Sequence, residues 1–252
     1  MGGAGSIEAD AGRTGLNFGH LTQSTLSNSI NSINLIQPIT SGTSKTMYIP
    51  SFNNFSDRNE IVAFMHRYSF GTMVTTVEGL PVATHLPFLV IEEDGKLFIR
   101  SHFAKANPQW KAIPENTSLV IFSEPHAYIS PANYETEKNV PTWNYIAVHA
   151  YGKAQLLESV ELKTALLKHT IQTFESGYLQ QWDSLPDDYK LKMMNGIVAF
   201  EIEVNDLQAK KKLSQNRTET EQQNIIHYLE NSSDTNEKEI AVYMKELKEN
   251  KG

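Results

Sequence analysis

Two short turn signals, Glu78-Gly79 and Glu93-Asp94-Gly95, constrain most tightly what this chain can fold into. Each stands between runs rich in β-branched and aromatic residues, and a glycine free to take positive φ at such a point joins neighbouring strands as a hairpin. Residues 71–77, 80–90 and 96–102 are therefore expected as three successive antiparallel strands. Residues 118–122 add a fourth, 144–157 a long fifth, and 196–204 a sixth whose end alternates apolar and acidic side chains. Gly152 marks a bulge in the fifth strand, or a point where another backbone comes close. Six strands at hairpin spacing predict a small closed antiparallel barrel.

Helical signals frame this β-region. Asp57 with Glu60 three residues on is a capping-box pattern, and Ile61, Phe64, Met65 and Tyr68 recur at the spacing of one helix face, so a helix is expected to lie on the sheet. A helical insertion is expected at about residues 160–195, in two pieces, 160–175 and 186–195. Pro186 is suited to the first turn of the second piece, and Asp187 and Asp188 favour the helix dipole there. Beyond Arg217 two further helices are expected, with Ile225, Tyr228 and Leu229 on one face and Ile240, Tyr243, Met244 and Leu247 on another. The whole reads as mainly β with flanking helices, an α+β chain.

With 252 residues, 40% of them hydrophobic, the chain can bury one sizeable core or two small ones. The absence of cysteine removes disulfides, thiolate metal sites and cysteine nucleophiles together, and points to the cytoplasm as the expected compartment. No run reaches the roughly eighteen apolar residues that a membrane span requires, so no membrane partner is expected. Residues 1–46 are rich in Gly, Ser, Thr and Asn, show no sustained period, and carry balanced charge. They are expected to form a disordered N-terminal extension, with Met47 a candidate natural start. The net charge of −7 then belongs to the remainder. A core domain over residues 47–217 and a helical segment over 218–252 complete the expected organisation.

Three stretches carry chemistry. Val140-Pro141-Thr142-Trp143-Asn144-Tyr145 packs a rigid turn, two aromatics and three hydrogen-bonding side chains into a strand entrance; it reads either as a pocket wall or as an ordinary strand start with a core tryptophan. Ser101 to Trp110 leaves a strand and enters a short helix, with Asn107 able to cap and Pro108 preset for the first turn. Its Ser101, His102 and Lys105 would suit a phosphate monoester, the alternative being a solvated basic turn. Lys210-Lys211-Lys212-Leu213-Ser214-Gln215-Asn216-Arg217 could be a nucleic-acid patch, a second phosphate clamp or a solvated edge. No metal ligand set and no identifiable catalytic residue stand out.

These stretches, together with Met47-Tyr48-Ile49-Pro50, Thr84-His85-Leu86-Pro87-Phe88 and His126-Ala127-Tyr128-Ile129-Ser130-Pro131, resemble in order and spacing the PaiB family of FMN-binding negative transcriptional regulators. The resemblance runs from Met47 to about Arg217. It implies an FMN-binding split β-barrel related to pyridoxamine-phosphate oxidase and flavin reductases, a homodimer with FMN near the subunit interface, and a role in repressing gene expression. It assigns Ser101, His102, Lys105 and Asn107, with Trp110 in the same motif, to the FMN phosphate and ribityl chain, and Lys212, Ser214, Gln215 and Asn216 to completing that end. Thr84, His85, Leu86 and Pro87 would line the isoalloxazine, and Thr142, Trp143, Asn144 and Tyr145 would close the pocket from the same or the second subunit. Two positions depart from the pattern: Lys105, where members often carry arginine, and Ala199, where glycine is common.

Three functions follow as alternatives: a flavin-holding regulator acting indirectly, an FMN-dependent oxidoreductase, and a flavin carrier or interaction protein. Direct DNA binding is expected to be weak or absent, because the chain is acidic and the region from Arg217 onward holds five basic against eight acidic residues.

Overall fold

A computed structural model describes residues 47–249 of the protein. Nine strands form one antiparallel sheet: β1 (Phe70–Val77), β2 (Leu80–Pro87), β3 (Leu89–Glu93), β4 (Lys96–Ala104), β5 (Thr117–Phe122), β6 (His126–Ile129), β7 (Thr142–Leu157), β8 (Ile197–Glu203) and β9 (Asp206–Lys212). The two turn signals act as expected. Glu78 and Gly79 take φ values of 50 and 82°, Asp94 and Gly95 values of 50 and 75°, the paired positive φ of a two-residue hairpin turn.

The strand order is β2-β1-β5-β7-β8-β4-β3, and the sheet curls without closing. The expected closed six-stranded barrel is thus an open nine-stranded one, for three local reasons. The run at 80–90 breaks at Phe88 into β2, paired to β1, and β3, paired to β4, a break its continuous apolar character conceals. β6 has four residues, too few for a visible period. β9 is the lysine-rich stretch itself, which pairs along β7 from Tyr145↔Lys212 to Tyr151↔Asp206.

The sixteen-residue β7 organises the sheet. One edge meets β6 and then β5; the other meets β9 and then β8. Gly152 sits at the handover from β9 to β8, where a Cβ would stand 2.2 Å from the Glu203 carbonyl oxygen. The close approach expected there is present, and only glycine fits it.

Inside the curl, the Phe88 ring meets Phe122 and Phe200 edge-on at 5.7 and 6.5 Å, and Phe103 stacks on Phe200 at 5.0 Å. Burying each such side chain contributes about 1.5–3 kcal/mol. Helix α1 (Arg58–Arg67) starts at Asp57, whose carboxylate accepts from the Glu60 N–H at 3.0 Å, and it buries Ile61, Phe64 and Met65 as its periodicity predicts. The insertion forms α2 (Val160–Phe174), α3 (Leu179–Ser184) and α4 (Asp187–Met194), and Leu166 of α2 packs with Leu89 and Ala199. Helices α5 (Glu219–Glu230) and α6 (Thr235–Glu249) bury Ile225, Ile226, Leu229, Ile240, Ala241 and Met244 in the core shared with the barrel. No helix among the described residues is long and apolar enough to cross a membrane. The expectation for residues 1–46 lies outside the described residues.

Candidate functional site

The barrel is split between β2 and β4, and buried polar side chains bridge the split. Ser101 Oγ donates to the Pro87 carbonyl at 2.6 Å, beside the Phe88 break. Asn107 Nδ2 donates to Thr84 Oγ1 at 2.9 Å, and Thr84 Oγ1 donates to Gln109 Oε1 at 2.6 Å. Gln109, 1% exposed, sends its amide nitrogen to the carbonyls of Met73 and Val82 and to Thr75 Oγ1, at 3.1–3.3 Å. The anticipated Asn107 cap is formed: its Oδ1 accepts from the Gln109 N–H at 3.0 Å, with Pro108 opening a single 3-10 turn (Pro108–Lys111). Half-buried Trp110 packs against the edge of the core, and its indole N–H donates to the Lys105 carbonyl at 3.1 Å and holds the turn, leaving the Lys105 side chain exposed.

Strand alternation separates several residues that sequence spacing had grouped, because successive side chains point to opposite faces. Ser101 points into the core beside Phe103, whereas His102 lies opposite Ala199 on the face covered by α2. Burial there lowers the His102 pKa, so the ring is neutral at neutral pH. Thr84 and buried Leu86 share the inner face of β2, whereas His85 lies on the outer face, bonded through Nδ1 to Thr72 Oγ1 at 2.9 Å; Pro87 is exposed. Likewise Trp143 is on the outer face and Asn144, fully buried, on the inner one, where its oxygen accepts from Ser214 Oγ at 3.0 Å and its amide meets Met244 Sδ at 3.6 Å. Gln215 is used locally, bonding the Leu213 N–H and the Lys211 carbonyl, and Asn216 is exposed.

The outer face is a continuous surface. Register sets His85, Thr72, Ile121, His149 and Gln208 side by side across β2, β1, β5, β7 and β9. Six residues along β7 from His149 lies Trp143, half-exposed, with Tyr128 edge-on at 5.7 Å and His126 at 5.9 Å. Lys212 donates to Thr142 Oγ1 and, at 2.8 Å, to the Trp143 carbonyl. Burial, and then the charge of Lys210, lower the Lys212 pKa. His149 is lowered by burial, and its Nδ1 is buried without a hydrogen-bond partner among the described residues.

The candidate residues thus fall into two clusters, one at the β2/β4 split and one where β6, β7 and β9 meet. Six residues of strand separate their rows, about 20 Å at the rise of a β-strand. Sequence reasoning gave no site role of their own to Gln109, Tyr128 and His149, and read Lys210 only as one member of a basic stretch. Only Gln109 carried a readable signal, a polar side chain next to the cap of a turn that must pack against a sheet.

No group of three His, Asp or Glu converges as a metal site among the described residues. Toward a phosphorylated aromatic cofactor the chemistry fits: Lys105 has no carboxylate partner within 4 Å among the described residues, and the outer face offers aromatic rings and cations.

Comparison with known proteins agrees with this reading. Two solved structures share the fold: the flavocytochrome Anf3 of Azotobacter vinelandii (TM-score 0.52, 15% identity, 64% of this chain and 69% of that one) and an FAD- and heme-binding protein of Mycobacterium smegmatis (0.51, 13%, 64% and 73%). The protein accordingly shares their split-barrel fold. Among sequence relatives, "Protease synthase and sporulation protein PAI 2" of Bacillus subtilis is 44% identical over 204 residues, 79% of this chain and 97% of the relative. An uncharacterized protein of Emericella nidulans is 33% identical over 67% of this chain and 83% of its own length. The family model described as "Putative FMN-binding domain" matches residues 47–206, the span that holds β1 to β8 and ends where β9 begins, and with it the chain belongs to the PaiB-type family of FMN-binding domains.

Proposed function

We propose that the protein holds FMN between two copies of the chain and influences gene expression indirectly, through the state of that flavin. The observation that carries the reading is the distribution of the two clusters: His85 beside the β2/β4 split and the Trp143–Tyr128 pair both lie on the outer sheet face, yet their rows are about 20 Å apart within one chain, too far to enclose one flavin. A two-fold copy laid on this face would bring the β6–β7–β9 cluster of one chain to the β2/β4 split of the other, as an isologous interface requires. Half-buried Val74, Leu119, Ile121 and Tyr151 give this face the apolar area such contact needs.

In this arrangement Lys105 is the cation for the FMN phosphate, with Asn107 and Thr84 fixing the turn beneath it. His85 and the Trp143–Tyr128 pair of the second copy border the ring. Ser101, Asn144, Ser214 and Gln215 act as positioning residues, since their polar atoms are already engaged within the chain. FMN, when bound, supplies one- and two-electron redox chemistry. The regulatory part of the proposal draws on the Bacillus subtilis relative, whose name ties it to protease synthesis and sporulation. The acidic C-terminal region favours an indirect route over direct DNA contact.

Titration of flavin-free protein with FMN and riboflavin tests the proposal. FMN should bind more tightly, Lys105→Ala should weaken it by about 1–3 kcal/mol while leaving riboflavin unchanged, and light scattering should give a mass near twice 28.4 kDa. Equal affinity for riboflavin, or a monomer with FMN bound, would overturn it.

A further inference from the structure

Lys210 is a buried cation with no countercharge among the described residues. Only 7% of it is exposed, and its ammonium lies between the rings of Tyr48 and Tyr145, 5.7 and 5.3 Å from their centroids, with one hydrogen bond, to the Tyr48 carbonyl at 3.2 Å. Two residues along β9, about 7 Å away, Lys212 shares its face and is held by neutral oxygens of Thr142 and Trp143. Neither ammonium has a carboxylate within 4 Å among the described residues. Lys211 between them points to the other face and pairs with Glu60. Burying an ammonium is costly unless an opposite charge accompanies it, and two aromatic faces and a carbonyl return only part of that cost.

The surrounding sheet explains why no countercharge comes from the neighbouring strands. Strands β1, β2, β5, β6 and β7 contain no Asp or Glu at all, in a chain with 29 acidic residues. Asp206, at the far end of β9, bonds Gln208, and Glu124, before β6, faces His126 at 3.8 Å. A second copy packed on the same face would bring those same carboxylate-free strands. Among the described residues no carboxylate answers the pair, which leaves the negative charge to a ligand.

We propose that Lys210 and Lys212 form a binding site for the phosphate or diphosphate of a second ligand, beside the flavin and separate from the Lys105 turn. The inference rests on the FMN reading only in treating this site as additional to that of the flavin phosphate. Tyr48, 82% exposed and within 5.7 Å of the Lys210 ammonium, offers a face on which a planar ring attached to the phosphate would stack.

Calorimetric titration of the FMN-loaded protein with inorganic pyrophosphate tests it. Saturable binding is expected, weakened about tenfold or more by Lys210→Met and by Lys212→Met, the loss of one charge-assisted hydrogen bond, and unchanged by Lys211→Met. Absence of binding, equal loss in Lys211→Met, or release of FMN by pyrophosphate would each overturn the proposal, the last because the pair would then hold the flavin's own phosphate. A protein that retains no FMN yet takes pyrophosphate with the same dependence on Lys210 and Lys212 sinks the flavin reading and leaves the anion site standing.

Discussion

Gly152 and Glu203 are in near contact across the switch point of the barrel: a Cβ on Gly152 would stand 2.2 Å from the Glu203 carbonyl oxygen and 2.5 Å from Ile202 Cγ2. Two backbones cannot both hold position if that atom is added, and neither can yield without disturbing the pairing of β7 with β8. Gly152→Ala should destabilise the protein by about 3 kcal/mol, the upper range for overpacking a tight site. A fall in the urea midpoint at constant m-value is the expected readout.

On the β2 side of the split, Gln109 bonds both β1 and β2 and also takes the Thr84 hydroxyl. Gln109→Leu keeps the volume but removes the amide's bonds to those carbonyls and leaves the Thr84 hydroxyl proton without its acceptor. Loss of about 2–3 kcal/mol is expected on unfolding in urea. Because Asn107 bonds the same Thr84 oxygen, FMN affinity should fall as well, while Gln109→Glu, which keeps the acceptor, should recover part of it.

Hairpin turns, helix caps and apolar periods are local, and these were legible: Gly79 and Gly95, the Asp57 and Asn107 caps, and the α1 stripe all stand where the sequence places them. Pairing between distant strands was not. β9 is written in lysines, and only its neighbour β7 makes it a strand. The site was legible as a set of segments but not as side-chain directions. His102 and Ser101 are adjacent in sequence and on opposite faces in the sheet, and the same holds for Trp143 and Asn144. A motif that spans consecutive strand residues necessarily mixes pocket-facing and core-facing positions.

The outer face should tolerate charge only in the isolated chain. Ile121 lies at the middle of the row from His85 to Gln208, where a two-fold copy would cover it. Ile121→Lys is expected to give a folded monomer with weakened FMN binding, seen as a halved mass by light scattering with an unchanged circular dichroism spectrum. A variant that stays dimeric would move the interface elsewhere.

Two histidines set an acid limit on stability. Burial lowers the pKa of both His102 and His149 below the ordinary histidine value of 6.5. The unfolded chain therefore binds protons at a higher pH than the folded one, and stability falls as pH drops below about 6.5 toward the depressed folded values, then levels off beneath them. Above 6.5 both forms are neutral in both states and the contribution is flat. Urea midpoints measured from pH 7.5 to 5 should decline less steeply in the double variant His102→Gln, His149→Gln than in the parent, after the common carboxylate effects are subtracted.

Direct DNA binding is where electrostatics and a regulatory role diverge. The chain carries −7 overall, and the cations at the candidate edge are largely engaged: Lys211 pairs with Glu60, Lys210 is buried, and Arg217 bonds Asn139 and lies over the Tyr134 ring. Helices α5 and α6 spend their apolar faces on the barrel core and carry acidic residues in their first turns, which repel a phosphate backbone. Few phosphates can be neutralised, so few counterions are released on association. Fluorescence anisotropy with duplex DNA should show at most weak binding that disappears at physiological salt, whether FMN is oxidised or reduced. Nanomolar affinity for a defined sequence in either state would mean that the chain itself reads DNA, and the indirect route would have to be abandoned.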